Sequence, residues 1–164
     1  MPDLAPLMLG EFRRKIDERH RVLIPSPLFD LLVAESADCI LAKERPGCVS
    51  LWPARAWQEK LDQGVRWIEE KLGHQKLDDE IARVQMFGRL FSTRHTPVRL
   101  AGRGRLVIPE GFREFLGVVP QGGQSEVMVV GAAVCVEIWS PAEWLDYLKR
   151  QMPKFRRLFD HLTQ

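Results

Sequence analysis

Apolar residues in this chain fall into short runs broken by proline and glycine, separated by longer stretches of helical spacing. The runs Val22–Ile24 and Leu106–Ile108 each lead into a proline, Pro25 and Pro109, which ends a strand because its nitrogen has no proton to give a ladder. A short helix is predicted after each: Ser26-Pro27 has the form of an N-cap with proline at the first helical position, and Phe112–Leu116 stops at Gly117. Cys39–Ala42 and Cys48–Trp52 flank Pro46-Gly47, while Glu126–Val130 and Val134–Trp139 flank Gly131, so each pair predicts a hairpin. From Pro53 to Gly73, Trp57, Leu61, Val65, Ile68 and Leu72 recur at three- and four-residue spacing on one helical face. Ser140-Pro-Ala-Glu143 opens another helix as a capping box, with Trp144 and Leu148 on one side. Such aromatic stripes read as core. A further helix, Leu77–Leu90, opens on Asp78, Asp79 and Glu80, which suit the positive end of a helix dipole. Beyond Pro153, Phe155, Leu158, Phe159 and Leu162 share one side of a basic tail that either packs on a partner subunit or forms a partly ordered end.

The pattern repeats. Arg21-Val-Leu-Ile-Pro25 is echoed by Arg105-Leu-Val-Ile-Pro109, and Cys48-Val-Ser-Leu-Trp52 by Cys135-Val-Glu-Ile-Trp139, with Trp57 and Trp144 each five residues further on. The order is the same and the intervals differ by only three residues. Four segments follow: a first module with its helix at 8–74, a bridging helix at 75–91, a second module with its helix at 92–150, and a basic tail at 151–164. Each half offers three or four short strands, and below about 70 residues a lone core is marginal. The halves are therefore expected to intertwine around one core as an α+β protein with pseudo-twofold symmetry.

Composition narrows the class. The chain has 164 residues, 45% of them hydrophobic, which suits a globular fold. No apolar run approaches the roughly 20 residues that cross a bilayer. Pro2 and Asp3 precede the first apolar stretch and no basic leader does, which makes a poor signal peptide and points to the cytoplasm. Cys39, Cys48 and Cys135 are odd in number, lack Cys-x-x-Cys spacing and sit in apolar runs, so they read as buried small hydrophobes rather than disulfides or zinc ligands. His20, His74, His95 and His161 show no metal-ligand spacing, Gly102-Arg-Gly104 reads as a turn, and no nucleophile-elbow or Walker pattern occurs. No enzyme activity, cofactor, metal or small-molecule substrate is expected. The net charge of +2 names no partner by itself. Its distribution says more: Arg94, Arg99, Arg103 and Arg105 lie in a stretch without an acid, and Arg13, Arg14, Lys15, Arg19 and Arg21 crowd another. Local basic segments on a nearly neutral chain point to a focused anion-binding face.

Phe12-Arg-Arg-Lys-Ile-Asp17-Glu-Arg-His-Arg21-Val-Leu-Ile-Pro25 resembles the MraZ family, whose halves each carry Asp-x-x-x-Arg running into an apolar strand and proline. Met8-Leu-Gly-Glu-Phe12 is similar to that family's usual beginning, which makes Met8 an alternative start to Met1. The likeness extends through the Trp-bearing strand ends, Phe87-Gly-Arg-Leu-Phe-Ser92 and Val129-Val-Gly131. The resemblance implies two AbrB-like swapped-hairpin modules sharing an intertwined β-barrel core, with helices closing each half. It implies a ring-shaped homo-oligomer, associated with the nucleoid, that binds repeated double-stranded DNA sites. Repression of the division and cell-wall gene cluster promoter, including the chain's own gene, is the activity it suggests. By position it places the family motif on Asp17 and Arg21 in the first half and on Arg105 in the second.

The chemistry of that motif is intelligible without the family. Arginine offers a planar, permanently charged fork that grips phosphate or pairs with guanine O6 and N7. An aspartate four residues earlier, across a tight turn, can hold the fork in place. The predicted DNA-binding set is Arg13, Asp17, Arg19, His20, Arg21, Arg99, Arg103 and Arg105. The family usually has glycine before the motif arginine; Gly104 keeps it, but His20 stands there in the first half. Ala101 occupies the second aspartate position, so Arg105 is expected to lack its brace and the glycine-containing second loop to be the less selective. Read locally, Asp17 and Arg21 serve equally as an ion pair bracing a turn, with the other arginines solvated. Two further readings stay open: an AbrB-like antitoxin that holds a protein partner, and a ring scaffold with only non-specific DNA affinity. Two modules and a short tail argue against the first; steep salt dependence without sequence preference would mark the second.

Overall fold

The computed structural model describes residues 6–73, 77–118 and 125–164. Strands β1 (Glu11–Ile16) and β2 (Arg21–Leu23), helix α1 (Ser26–Leu32), the hairpin β3 (Asp38–Arg45) and β4 (Cys48–Pro53), and helix α2 (Ala54–Gly73) come first. Helix α3 (Leu77–Arg94) follows. Then come β5 (His95–Arg99), β6 (Arg105–Val107), α4 (Glu110–Leu116), β7 (Ser125–Gly131), β8 (Val136–Trp139) and α5 (Pro141–Gln151). A 3-10 turn, Met152–Lys154, leads into α6 (Phe155–Leu162).

The chain is α+β, with antiparallel pairing throughout. Six strands form one sheet in the order β1-β7-β8-β4-β3-β5, and β2 pairs with β6 in a separate two-stranded ribbon. The early strand β1 joins the late hairpin, Phe12 opposite Val129, and the late strand β5 joins the early hairpin, Val98 opposite Cys39. The order maps onto itself when β1, β3 and β4 are exchanged for β5, β7 and β8. Among the described residues β1 and β5 do not pair with each other, so the sheet is open and the expected barrel is not a closed one.

Alternation along each strand decides which side is core. Val49 and Leu51 of β4, Val136 and Ile138 of β8, and Val127 and Val129 of β7 face inward, where they meet Val22, Ile24, Leu28, Leu106, Ile108 and Leu116. Each fully buried aliphatic side chain contributes about 1.5–3 kcal/mol. On the opposite face of the sheet, α2 lays Trp57 on Trp52, with ring centroids 6.1 Å apart, and α5 lays Trp144 on Trp139 at 5.2 Å. The repeated tryptophans are thus packing residues that fasten a helix to each hairpin.

Several sequence expectations change. β1 and β5 carry no apolar run and become strands only through tertiary pairing: β1 alternates Glu11, Arg13 and Lys15 outward with Phe12, Arg14 and Ile16 inward. β5 holds Pro97, tolerated because β5 is an edge strand bonded only to β3. Helix α3 runs to Arg94, past the expected end at Leu90. Ser26 is a helical residue behind the cap position Pro25, and neither it nor Ser140 makes a side-chain capping bond. Gly117 does cap α4, with φ 78° and its N–H shared between the Arg113 and Glu114 carbonyls. The apolar stripe of α2 is core only at its start: Trp57 is 4% exposed but Val65 is 40% exposed. Residue His74 and the side chains of Leu72, Asp78, Asp79 and Glu80 lie outside the described residues. No helix of the described residues is long and apolar enough to cross a membrane.

Candidate nucleic-acid interface

Two loops stand at opposite ends of the β2–β6 ribbon. The register sets Arg21 opposite Val107 and Leu23 opposite Arg105, so the loop 17–20 that feeds Arg21 lies at one end and the loop 101–104 that feeds Arg105 lies at the other. Each loop is tied to the opposite strand's exit, since Ile108 N–H donates to the His20 carbonyl at 2.9 Å and Ile24 N–H to the Gly104 carbonyl at 2.8 Å.

The two turns share one main-chain frame. In the first, Asp17 N–H donates to the Arg21 carbonyl at 3.1 Å and His20 N–H to the Asp17 carbonyl at 3.0 Å. In the second, Ala101 N–H donates to the Arg105 carbonyl at 3.0 Å and Gly104 N–H to the Ala101 carbonyl at 3.2 Å. The frame demands positive φ before the arginine, 62° at His20 and 105° at Gly104. Histidine is among the less disfavoured side chains there. At Gly104 a Cβ would lie 2.8 Å from the Ile24 carbonyl oxygen, so glycine is needed for space as well as for conformation.

Asp17 organises the first turn. Its Oδ1 accepts the N–H groups of Arg19 at 2.9 Å and Arg21 at 3.0 Å, and its Oδ2 accepts Arg21 Nε at 2.7 Å. The Arg21 N–H chiefly, then the Arg21 guanidinium and the Arg19 N–H, hold the Asp17 carboxyl below its ordinary value of 3.8, against the opposing effect of burial. Asp17 takes Arg21 at Nε, and among the described residues neither Nη group of Arg21 is engaged by an acid. Arg103 and Arg105 are exposed and have no acidic partner among the described residues, so the missing brace at position 101 is seen directly.

The remaining predicted residues are placed less centrally. Arg19 is exposed beside Arg21. Arg13 on β1 is paired with Glu126 at 2.8 Å and Arg99 on β5 with Asp38 at 3.6 Å. Both pairs are solvent-exposed and worth little, so either arginine can exchange its carboxylate for a phosphate at small cost. Arg94 leaves the basic stretch altogether, donating through Nε to the Lys43 carbonyl at 3.0 Å and through Nη2 to Glu44 at 3.3 Å. Sequence reading passed over Leu23 and Val107, which are 51% and 57% exposed on the ribbon between the arginines. The period of two in Arg21-Val-Leu-Ile24 was the available signal, since it turns Leu23 away from buried Val22 and Ile24. Among the described residues no cluster of three or more histidine, cysteine or acidic side chains could hold a metal ion.

Known proteins are similar to this chain over most of its length. A protein of Thermus thermophilus, named Transcriptional regulator MraZ, is 30% identical over 145 residues, covering 88% of this chain and 90% of its own length. The chain belongs to the MraZ family. A protein of the same name from Syntrophomonas wolfei is 28% identical over 157 residues, covering 96% of this chain and 97% of that one. Another from Caldicellulosiruptor bescii is 30% identical over 139 residues, covering 85% of each. The family pattern described as "MraZ protein, putative antitoxin-like" matches residues 93–162, which in this MraZ-family chain run from the last residues of α3 to α6.

Proposed function

We propose that this MraZ-family chain is a sequence-specific DNA-binding transcriptional regulator, and that the β2–β6 ribbon with its two loops is the surface that meets DNA. The observation that carries the reading is the placement of Arg21 and Arg105 diagonally across an exposed ribbon, each fed by a tight turn bearing a second exposed arginine, Arg19 or Arg103. A ribbon of two strands fits the major groove, which is about 12 Å wide. In this reading Arg21, oriented by Asp17, and Arg105 reach base edges. Arg13, Arg19, Arg99 and Arg103 hold phosphates and set the register, and His20 shapes the turn.

The symmetric strand order supports two homologous modules, 8–74 and 92–150, joined by a bridging helix at 75–91 and followed by a tail at 151–164. Relatives named as transcriptional regulators support the regulatory role. The family resemblance adds the target: repeated sites at the promoter of the division and cell-wall gene cluster, where the chain represses its own gene among others. A ring of identical subunits in the nucleoid is what the family resemblance adds; self-association is supported by apolar side chains left about half or more exposed among the described residues: Met86, Phe87 and Leu90 of α3, and Phe155, Leu158, Phe159 and Leu162 of α6.

The test is fluorescence anisotropy with a duplex from the chain's own promoter and a scrambled duplex, over a salt series, for the wild type and Arg21→Ala. The promoter duplex is expected to win at every salt concentration. Arg21→Ala should cost about 1–3 kcal/mol, roughly five- to 150-fold in Kd, and erase most of the preference. Equal affinity for both duplexes with a steep salt slope would leave only a non-specific scaffold.

A further inference from the structure

The ribbon presents more than charge. In an antiparallel pair, residues that face each other, and residues two apart on one strand, point to the same side. Val22 and Leu106 are fully buried, so Arg21, Leu23, Arg105 and Val107 form the outer face. The four side chains make a two-by-two patch: arginines on one diagonal, branched aliphatics on the other, related by the pseudo-twofold that exchanges β2 with β6. The two aliphatics neighbour the arginines in the register and lie outside the buried core, with 51% of Leu23 and 57% of Val107 open to solvent.

We propose that Leu23 and Val107 are specificity-determining residues that recognise the C5-methyl groups of thymines in the major groove, beside the bases contacted by Arg21 and Arg105. This rests on the DNA-binding reading and adds a second chemistry to it. The major groove offers one apolar feature, the thymine methyl, next to the acceptors that arginine reads on guanine. The spacing fits. Residues two apart on a strand are separated by about 6.6 Å, close to two base steps, and directly opposed side chains by about 5 Å. Each arginine therefore has an aliphatic neighbour within one to two base pairs. The duplex must then supply a thymine beside each contacted base, on both sides of the ribbon's pseudo-dyad. A phosphate-gripping loop alone would impose no such requirement.

Replacing thymine by deoxyuridine removes only the methyl group and leaves base pairing intact. Each thymine of the promoter duplex is replaced in turn, and Kd is measured by anisotropy for the full-length wild type, Leu23→Ala, Val107→Ala and Arg21→Ala, with thermal melts to confirm folding. In the wild type at least two positions should each lose about three- to tenfold in affinity, the size of one buried methyl contact. Leu23→Ala should make one of those positions insensitive and Val107→Ala the other, while Arg21→Ala weakens binding yet leaves the methyl effect at the Val107 position. Promoter preference without any uridine-sensitive thymine overturns the proposal and leaves the DNA-binding reading standing. Uridine sensitivity that survives in both aliphatic variants overturns it too, because the methyl contacts then lie elsewhere. If the wild type does not distinguish promoter from scrambled duplex, the DNA-binding reading itself falls, and this proposal with it.

Discussion

Asp17 and Ala101 occupy corresponding positions in the two turns, and each receives the N–H of the arginine four residues on by a different acceptor. Arg21 N–H donates to the Asp17 carboxylate at 3.0 Å, whereas Arg105 N–H donates to the Ala101 main-chain carbonyl at 2.9 Å. The alanine turn closes without help from a side chain, but no acidic side chain among the described residues then pairs with the Arg105 guanidinium. The turns share a backbone and differ in how well they aim the side chain.

That difference predicts unequal halves. Arg21→Ala should relax base preference more than Arg105→Ala, because an oriented fork discriminates better than a mobile one. Asp17→Ala should weaken promoter binding about tenfold while leaving non-specific binding nearly unchanged, a base-contact signature rather than a phosphate one. Ala101→Asp should move the second turn the other way and sharpen selectivity. Anisotropy against a panel of single-base variants reads all four, and equal relaxation by the two arginine variants would sink the idea.

Glycine has separate duties at the second turn. Gly102 has φ 54° with open space around it, whereas Gly104 has φ 105° and the Ile24 carbonyl oxygen in the path of any Cβ. Gly104→Ala should therefore cost about 2–3 kcal/mol and Gly102→Ala about 1 kcal/mol. In the first turn, His20→Gly relieves the positive φ that His20 carries and should be neutral or slightly stabilising. Urea unfolding at one fixed protein concentration checks the order, and the same cost at both glycines would contradict it.

The hairpins and the tryptophan pairs were legible in the sequence because their signals are local: turn residues between apolar alternations, and a tryptophan five residues after a strand end. Arg21 and Arg105 were legible as repeated positions, with Asp17 four residues ahead of the first alone. β1 and β5 were not, since Glu11–Ile16 and His95–Arg99 become strands by adding to the other half's hairpin, and no short window contains that partner. Arg94 was counted in the acid-free basic stretch but not in the DNA-binding set, and the partners that hold it, Lys43 and Glu44, were not legible because they lie some fifty positions away in the chain. The apolar side of α6 was visible as a pattern, but a pattern does not say whether the covering surface belongs to the same chain.

The three thiols should be chemically quiet. Burial raises Cys39 to about 11 and Cys135 to about 12, and pushes Cys48 higher still, with nearby carboxylates adding to each. Thiolate is the reactive form, so almost none is present at pH 8 in the folded chain. Iodoacetamide at pH 8 should label the native protein only as fast as it opens, and label all three cysteines promptly in denaturant. Rapid native labelling, located by peptide mass mapping, would contradict the burial of whichever cysteine reacted.

The sheet face under the tryptophans carries a cost that depends on pH. Glu137 lies opposite Ser50, and its Oε1 accepts the Trp139 indole N–H at 3.1 Å. Burial is the main reason its carboxyl is raised above 4.5, with Glu44 adding to the effect while the Trp139 bond and Arg45 oppose it. A raised value means the folded state holds this proton more tightly than the unfolded state does. Glu137 therefore favours folding fully below 4.5, and this contribution is lost as pH rises through the folded value. Gln at this position is uncharged at every pH and keeps a carbonyl oxygen for Trp139. Glu137→Gln should consequently be more stable than the wild type at pH 7, with the gain shrinking as pH falls toward 4.5 and vanishing below it. Urea unfolding from pH 4 to pH 8 at constant concentration measures that difference. A gap that stays the same across the range would mean the substitution acts through packing and not through the buried charge.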